Sequence, residues 1–269
     1  MTKKRSSLLW SFSKQDQVSY IFGTMHVKDY RVHYFTNHVF PYIKKCDSFA
    51  AEFHLDEFAN SNVQSFNLIN GNQQISSLMS AKKFEKIRKP LLKSFGIDLF
   101  AFDRILPLFV INYISESVMV NSESLSLDSL LWQYASAEDK EMFGLETVED
   151  QFRILNSIPL SYQLKFLIEL SKNVSSFREK INKLIFLYEN QRIDELYKAS
   201  KQSLGTQKAT LLYNRNANMV AKIGSIIDNK NSLFVAVGAA HLSGKFGLLR
   251  GLKQKGFVVK PINLIAQND

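Results

Sequence analysis

The chain is poor in cysteine, proline and glycine, with one, five and eleven respectively in 269 residues, and each shortage excludes something. With Cys46 alone, no intramolecular disulfide can form and no multi-cysteine metal site exists. Its place at an apolar-to-polar transition before a strand is that of a small buried residue. No stretch is of low complexity, and no linker is long enough to split off an independent domain, so 1–269 reads as one domain. Long apolar runs are also missing. Leu8-Leu9-Trp10 is broken by the polar Ser11 to Gln17, and Ile105 to Ile114 contains Pro107, so nothing reaches the length of a signal-peptide core or a membrane span. The expectation is a cytoplasmic protein. The basic residues, worth a net charge of +9, are spread along the chain without a dense run interleaved with aromatics. That argues for a solvated basic surface favouring acidic partners and against specific nucleic-acid binding.

What the chain does have is a repeated device. Phe22-Gly23-Thr24-Met25-His26 and Val237-Gly238-Ala239-Ala240-His241 each follow an apolar run that reads as a buried strand, Val18 to Phe22 and Leu233 to Val237. Each is followed by a helical stretch (Val32 to Lys45; Leu248 to Lys255) and another apolar strand (Ser48 to Phe53; Phe257 to Ile262). The pattern predicts an α/β fold with two strand-GxxH-helix-strand repeats, in sheet-forming halves over about 7–55 and 229–265. Leu8 to Phe12 and Val18 to Phe22 read as an antiparallel pair at the sheet edge. Between the halves, about 56–228, lies a large helical insertion with a short strand near 141–146. It opens with irregular turns marked by Asn60, Ser61, Asn62, Asn67, Asn70, Gly71 and Asn72. Helices are expected over Lys82 to Ser94 and Asp98 to Ser117, with Pro90 and Pro107 allowing kinks or breaks, over Leu127 to Ala135, from near Thr147, and over Leu160 to Leu170, Phe177 to Asn190, Ile193 to Ser203 and Ala209 to Ile227.

Each GxxH hangs a histidine just past a strand tip, with glycine (Gly23, Gly238) letting a ligand approach the backbone. A lone histidine there is ordinary turn chemistry. As a duplicated pair, His26 and His241 can share one metal ion, with Glu52 at the end of the next strand as a third ligand. Two neutral imidazoles and a carboxylate suit a divalent ion with an open position, which lowers the pKa of bound water. Arg215 and Asn216 are adjacent on a helix, about 100° apart, and can flank one cleft, binding a carboxylate or a developing oxyanion. Alternatively they belong to a solvated helix face. Glu146, after the short strand, is a helix-start carboxylate or a site acid. His54 falls in step with Glu52 along the strand and either supports the ligands from behind or is an exposed strand end, while His33 and His38, five apart, share no helix face.

As an ordered set, Tyr20-Ile21-Phe22-Gly23-Thr24-Met25-His26-Val27, Glu52, Leu127-Asp128, Gly144-Leu145-Glu146-Thr147 with Gln151, Arg215-Asn216, and Gly238-Ala239-Ala240-His241-Leu242 with Gly244 and Gly247 resemble the TraB/GumN/TIKI family of the erythromycin-esterase/ChaN-like superfamily. Ser243 stands where that family often has proline. The resemblance implies a central mixed β-sheet built from two cryptic halves, with a metal-assisted site at the strand ends. His26, His241 and Glu52 would be its catalytic or metal-binding groups, and Arg215 and Asn216 would bind substrate or transition state. Manganese or cobalt is the metal the resemblance favours, and zinc also suits the ligand types. The reading is a metal-dependent hydrolase, most simply a peptidase, acting on a peptide or small-molecule substrate, with Glu146 as general acid or base. A protein that sequesters a peptide or haem-like ligand without turnover, and an esterase using a histidine base without metal, are the alternatives.

Overall fold

The computed structural model describes residues 6–60, 68–69, 73–118, 125–229 and 232–264. Met1 to Arg5 and the turns expected over Ser61, Asn62, Asn67, Asn70, Gly71 and Asn72 lie outside them. The chain divides into two compact units, one of residues 1–58, 122–148 and 184–269, the other of 59–121 and 149–183.

The first unit holds a six-stranded sheet: β1 (Leu9–Lys14), β2 (Gln17–Thr24), β3 (Ser48–Phe53), β4 (Glu141–Glu146), β5 (Leu233–Gly238) and β6 (Val258–Ile262). Their order is β4-β3-β5-β2-β1-β6. β3 runs parallel to β4 and β5, and β5 parallel to β2, while β1 is antiparallel to both β2 and β6. The fold is therefore α/β with a mixed sheet. Ser48 to Glu52 of β3 and Leu233 to Val237 of β5 are buried throughout, as central strands covered on both faces must be. The β1–β2 pair is antiparallel as expected, but β6 adds outside β1, so the pair is not the edge. Nothing in β1 itself announces a second partner, because Leu9–Lys14 is only half buried.

Helices Thr36–Lys44 and Leu127–Ala137 pack together, with Phe40 stacked on Tyr134 at 3.6 Å between ring centroids. Helices Asn214–Asn229 and Leu248–Gln254 form another pair. A Cβ on Gly251 would stand 2.6 Å from Val220 Cγ2, so that closeness requires glycine. In the second unit, helices Ala81–Phe95, Pro107–Ser117 and Leu160–Lys172 bury Phe84, Ile87, Leu91, Val110, Ile114 and Leu167 in one cluster. Among the described residues, no helix is long and apolar enough to cross a membrane.

Several helix expectations need correction. The stretch Val32 to Lys45 is two helices, Tyr30–His33, capped by Asp29, and Thr36–Lys44. The break allowed at Pro107 is there: Asp98 to Ser117 divides into a 3₁₀ turn, Leu99–Phe102, and a helix that begins at Pro107, where a missing N–H does no harm. Asp56 to Asn60 is helical (Leu55–Asn60) rather than irregular. The helix expected from Ala209 starts with a π turn over Ala209–Tyr213 and is α-helical from Asn214.

Candidate active site

β2 and β5 are parallel neighbours whose last residues lie side by side, Gly23 opposite Val237 and Thr24 opposite Gly238. From β2 the chain crosses beyond β5 to β3; from β5 it crosses beyond β2 and β1 to β6. Connections leaving neighbouring strands in opposite directions open a crevice at their carboxyl ends, and both GxxH segments sit there. A Cβ on Gly23 would come within 2.8 Å of Leu242 Cδ1 and 2.9 Å of Ala239 Cα, so the first glycine lets the second motif pack against β2. The buried Tyr188 hydroxyl donates to the Gly23 carbonyl at 2.8 Å. Gly238 donates its N–H to Glu52 Oε1 at 2.8 Å, and a Cβ there would stand only 3.1 Å from that oxygen.

Glu52 projects from the end of β3 and Glu146 from the end of the adjacent β4, and Arg215 joins them. Its Nη2 donates to Glu52 Oε2 at 2.7 Å and to Glu146 Oε2 at 2.6 Å, and its Nε to Glu146 Oε1 at 2.9 Å. The three side chains are 10%, 4% and 15% exposed for Glu52, Glu146 and Arg215. Burial alone would raise the Glu52 carboxyl, but His241, Arg215, His26 and the Gly238 amide together hold it well below the usual carboxylate range. Burial likewise opposes the charge on Arg215, and the two carboxylates override it.

Asn216, 1% exposed, turns the other way. Its Nδ2 donates to the Phe246 carbonyl at 2.7 Å and to the His241 carbonyl at 3.4 Å, which leaves Oδ1 facing His241 Nδ1 at 2.5 Å. An amide oxygen only accepts, so Nδ1 carries the proton and Nε2 the lone pair. That Nε2 lies 3.7 Å from Glu52 Oε1. Burial pushes His241 down to about 4 against the pull of Glu52, so at neutral pH two acceptors face each other.

His26 is held in a parallel way by a different group. Its Nδ1 is 3.0 Å from Asp128 Oδ2, in the first turn of helix Leu127–Ala137, and the Thr24 hydroxyl donates to Asp128 Oδ1 at 2.6 Å. Asp128 raises His26 to about 9, against desolvation and with help from Glu52. The His26 side chain is 49% exposed, the His241 side chain 8%.

The structure thus brings together two hydrogen-bonded groups, Glu52, Glu146, Arg215 and Gly238 in one and Asn216 and His241 in the other, which meet where His241 Nε2 faces Glu52 Oε1 at 3.7 Å, with His26 close enough to act on Glu52 and His241 through its charge. Arg215 and Asn216 divide their work: one engages carboxylates, the other a histidine. His54 lies past the end of β3 with its ring edge-on to Trp132 at 4.7 Å. Asp128 and Tyr188 are the contributors to which sequence reasoning assigned no site role; Asp128 was visible in the Leu127-Asp128 pair of the resemblance and as an acid opening a helix, which reads equally as dipole compensation. Among the described residues, no group of three or more His, Cys, Asp or Glu side chains stands at metal-ligand spacing.

The chain is also similar to known proteins. It is 24% identical to metalloprotease TIKI2 of Danio rerio over 317 residues, 96% of this chain and 61% of that relative. It therefore spans about three fifths of the length of the curated relative it matches. No solved structure matches it. The model of the TraB/PrgY/gumN family matches residues 8–261, and the chain belongs to that family.

Proposed function

We propose that this chain is a metal-dependent hydrolase of peptide bonds, its two repeated strand-GxxH-helix-strand units set around the crevice between β2 and β5. One observation carries the reading: each motif histidine has Nδ1 turned to a group behind it, His241 hydrogen-bonded to Asn216 Oδ1 and His26 set 3.0 Å from Asp128 Oδ2 as an ion pair, which leaves Nε2 for a ligand bond. Metal-binding histidines are oriented in this manner. The donor types suit a divalent cation, because the His241 lone pair and a Glu52 carboxylate oxygen face each other at 3.7 Å with no proton to share. His26, His241 and Glu52 would hold the ion, manganese, cobalt or zinc. When bound, such an ion polarises a carbonyl and brings the pKa of water toward neutrality.

The chain's own groups do the rest. Arg215 keeps Glu52 ionised, and of its donors Nη1, which bonds neither carboxylate, is the one suited to a substrate carboxylate or a developing oxyanion. Glu146, with both oxygens accepting from that guanidinium, positions Arg215 rather than shuttling a proton. Asn216 sets the tautomer of His241 from beneath. The relative's name, a metalloprotease, supports the same class of chemistry.

The test is a titration of metal-free protein with manganese, cobalt and zinc by calorimetry, alongside mass spectrometry of incubated peptides. Metal uptake lost in His26→Ala and Glu52→Gln, with cleavage abolished by a chelator, is the expected result. Cleavage that survives chelation would favour a histidine-base esterase. Stoichiometric capture without product would make the protein a sequestering one.

A further inference from the structure

Beyond the second motif, the first unit contains a cavity of about 670 Å³, within the range of small-molecule sites. Its floor is apolar: Trp10 from β1, Leu242 directly after His241, and Leu249 from helix Leu248–Gln254. Lys245, Arg250 and Lys253 stand at its rim, all exposed, and none makes an ion pair among the described residues. Asp194 also lines it, but its carboxylate accepts from the Ser243 hydroxyl. The indole of Trp10 is held in place by donating to the Ser7 carbonyl at 2.7 Å.

We propose that this cavity binds a small anionic amphiphile, a carboxylate carried on a hydrocarbon chain. Three cations against one engaged acid select an anion. An inorganic anion would leave the partly exposed indole of Trp10 wet, and a neutral hydrocarbon would leave the cations unanswered, so the ligand must supply both parts. The site backs onto the loop that holds the histidine: Leu242 to Lys245 line it, and Phe246, next in the chain, gives its carbonyl to Asn216. Binding there stands on the cavity alone and does not require the proposed hydrolysis.

Trp10 is a built-in reporter, since the other tryptophan, Trp132, is 3% exposed. Decanoate, kept below its micelle concentration, is titrated into the full chain and followed by tryptophan emission and by calorimetry. Saturable binding at one site is expected, with affinity falling roughly tenfold or more in the Lys245→Gln, Arg250→Gln, Lys253→Gln triple variant, whose sites are exposed and tolerate the change. Decanol should bind about tenfold more weakly than decanoate, and the emission change should vanish in Trp10→Phe. The proposal is overturned by absence of saturation, by equal affinity for decanol, by a triple variant with unchanged affinity, or by inorganic phosphate displacing decanoate at equal concentration.

Discussion

Replacing Arg215 by methionine removes the one cation that joins Glu52 to Glu146 while leaving both carboxylates where they are. At 10% and 4% exposure those side chains cannot recover their hydration by a small rotation. Breaking a buried ion pair from one side costs about 3–5 kcal/mol, a large share of a total stability of about 5–15 kcal/mol. The pH dependence has a definite sign. In the native chain Glu52 titrates below its unfolded value, so it contributes stability above that value and loses it as the pH falls. In Arg215→Met the guanidinium's share of that lowering is lost while burial still opposes the charge, so the folded carboxyl moves up, and the penalty is greatest at high pH and fades as the group folds neutral. The gap between the two proteins therefore closes on acidification. Urea denaturation of chelator-treated protein at pH 8 and pH 5 measures it. About 3–5 kcal/mol at the higher pH, at least halved at the lower, is expected, with about 1–2 kcal/mol returned by adding Glu146→Gln. A loss below about 1 kcal/mol, or one independent of pH, would refute the claim that this guanidinium neutralises buried charge.

In metal-free protein the His26 imidazole should titrate near 9, and Asp128→Asn should bring it down toward 6.5, followed by NMR of the ring carbons. Because its folded pKa is raised, the stability it contributes is fully present below about 6.5 and lost as pH rises through about 9. Asn216→Leu frees the His241 tautomer and should weaken metal affinity by about 10–100-fold in a calorimetric titration; unchanged affinity would remove the orienting role. Tyr188→Phe deletes the bond to the Gly23 carbonyl and should lower stability by about 1 kcal/mol, read as a melting shift of about 2–4 °C. Gly23→Ala puts a methyl 2.9 Å from the Ala239 backbone and should destabilise by about 1–3 kcal/mol in urea, whereas Gly238→Ala meets a side-chain oxygen at 3.1 Å and should cost less.

Much of the sheet was legible because its strands carry their own signatures. Leu233 to Val237 is apolar without interruption, which only a strand covered on both faces can sustain, and β5 is such a strand. Ser48 to Phe53 and Glu141 to Glu146 were equally readable as strands, but their pairing was not, since parallel neighbours announce no register in the chain between them. The outer position of β6 was hidden for another reason: it pairs antiparallel with β1, a strand near the opposite end of the chain whose half-buried pattern announces no second partner. Helix interruptions were legible where a proline allows one, as at Pro107 within Asp98 to Ser117, and were missed where none does, as between His33 and Thr36 within Val32 to Lys45.

The candidate site shows the same division between local and long-range information. A duplicated GxxH and an acid at a strand end can be found by eye, and the structure sets the ends of β2, β3 and β5 next to each other. What the motifs cannot reveal is that two identical devices acquire opposite properties. His241 is buried beside an amide and held near 4, while His26 stands half exposed beside an aspartate and is held near 9. That difference comes chiefly from burial at His241 and from Asp128 at His26, neither of which is written in the motifs. At neutral pH His241 presents a ready lone pair while His26 carries a proton, so a cation that used both would have to expel that proton, and uptake should become easier as pH rises toward 9. The asymmetry is therefore a property of the folded chain, added to a symmetric pattern by the residues that hold each ring from behind.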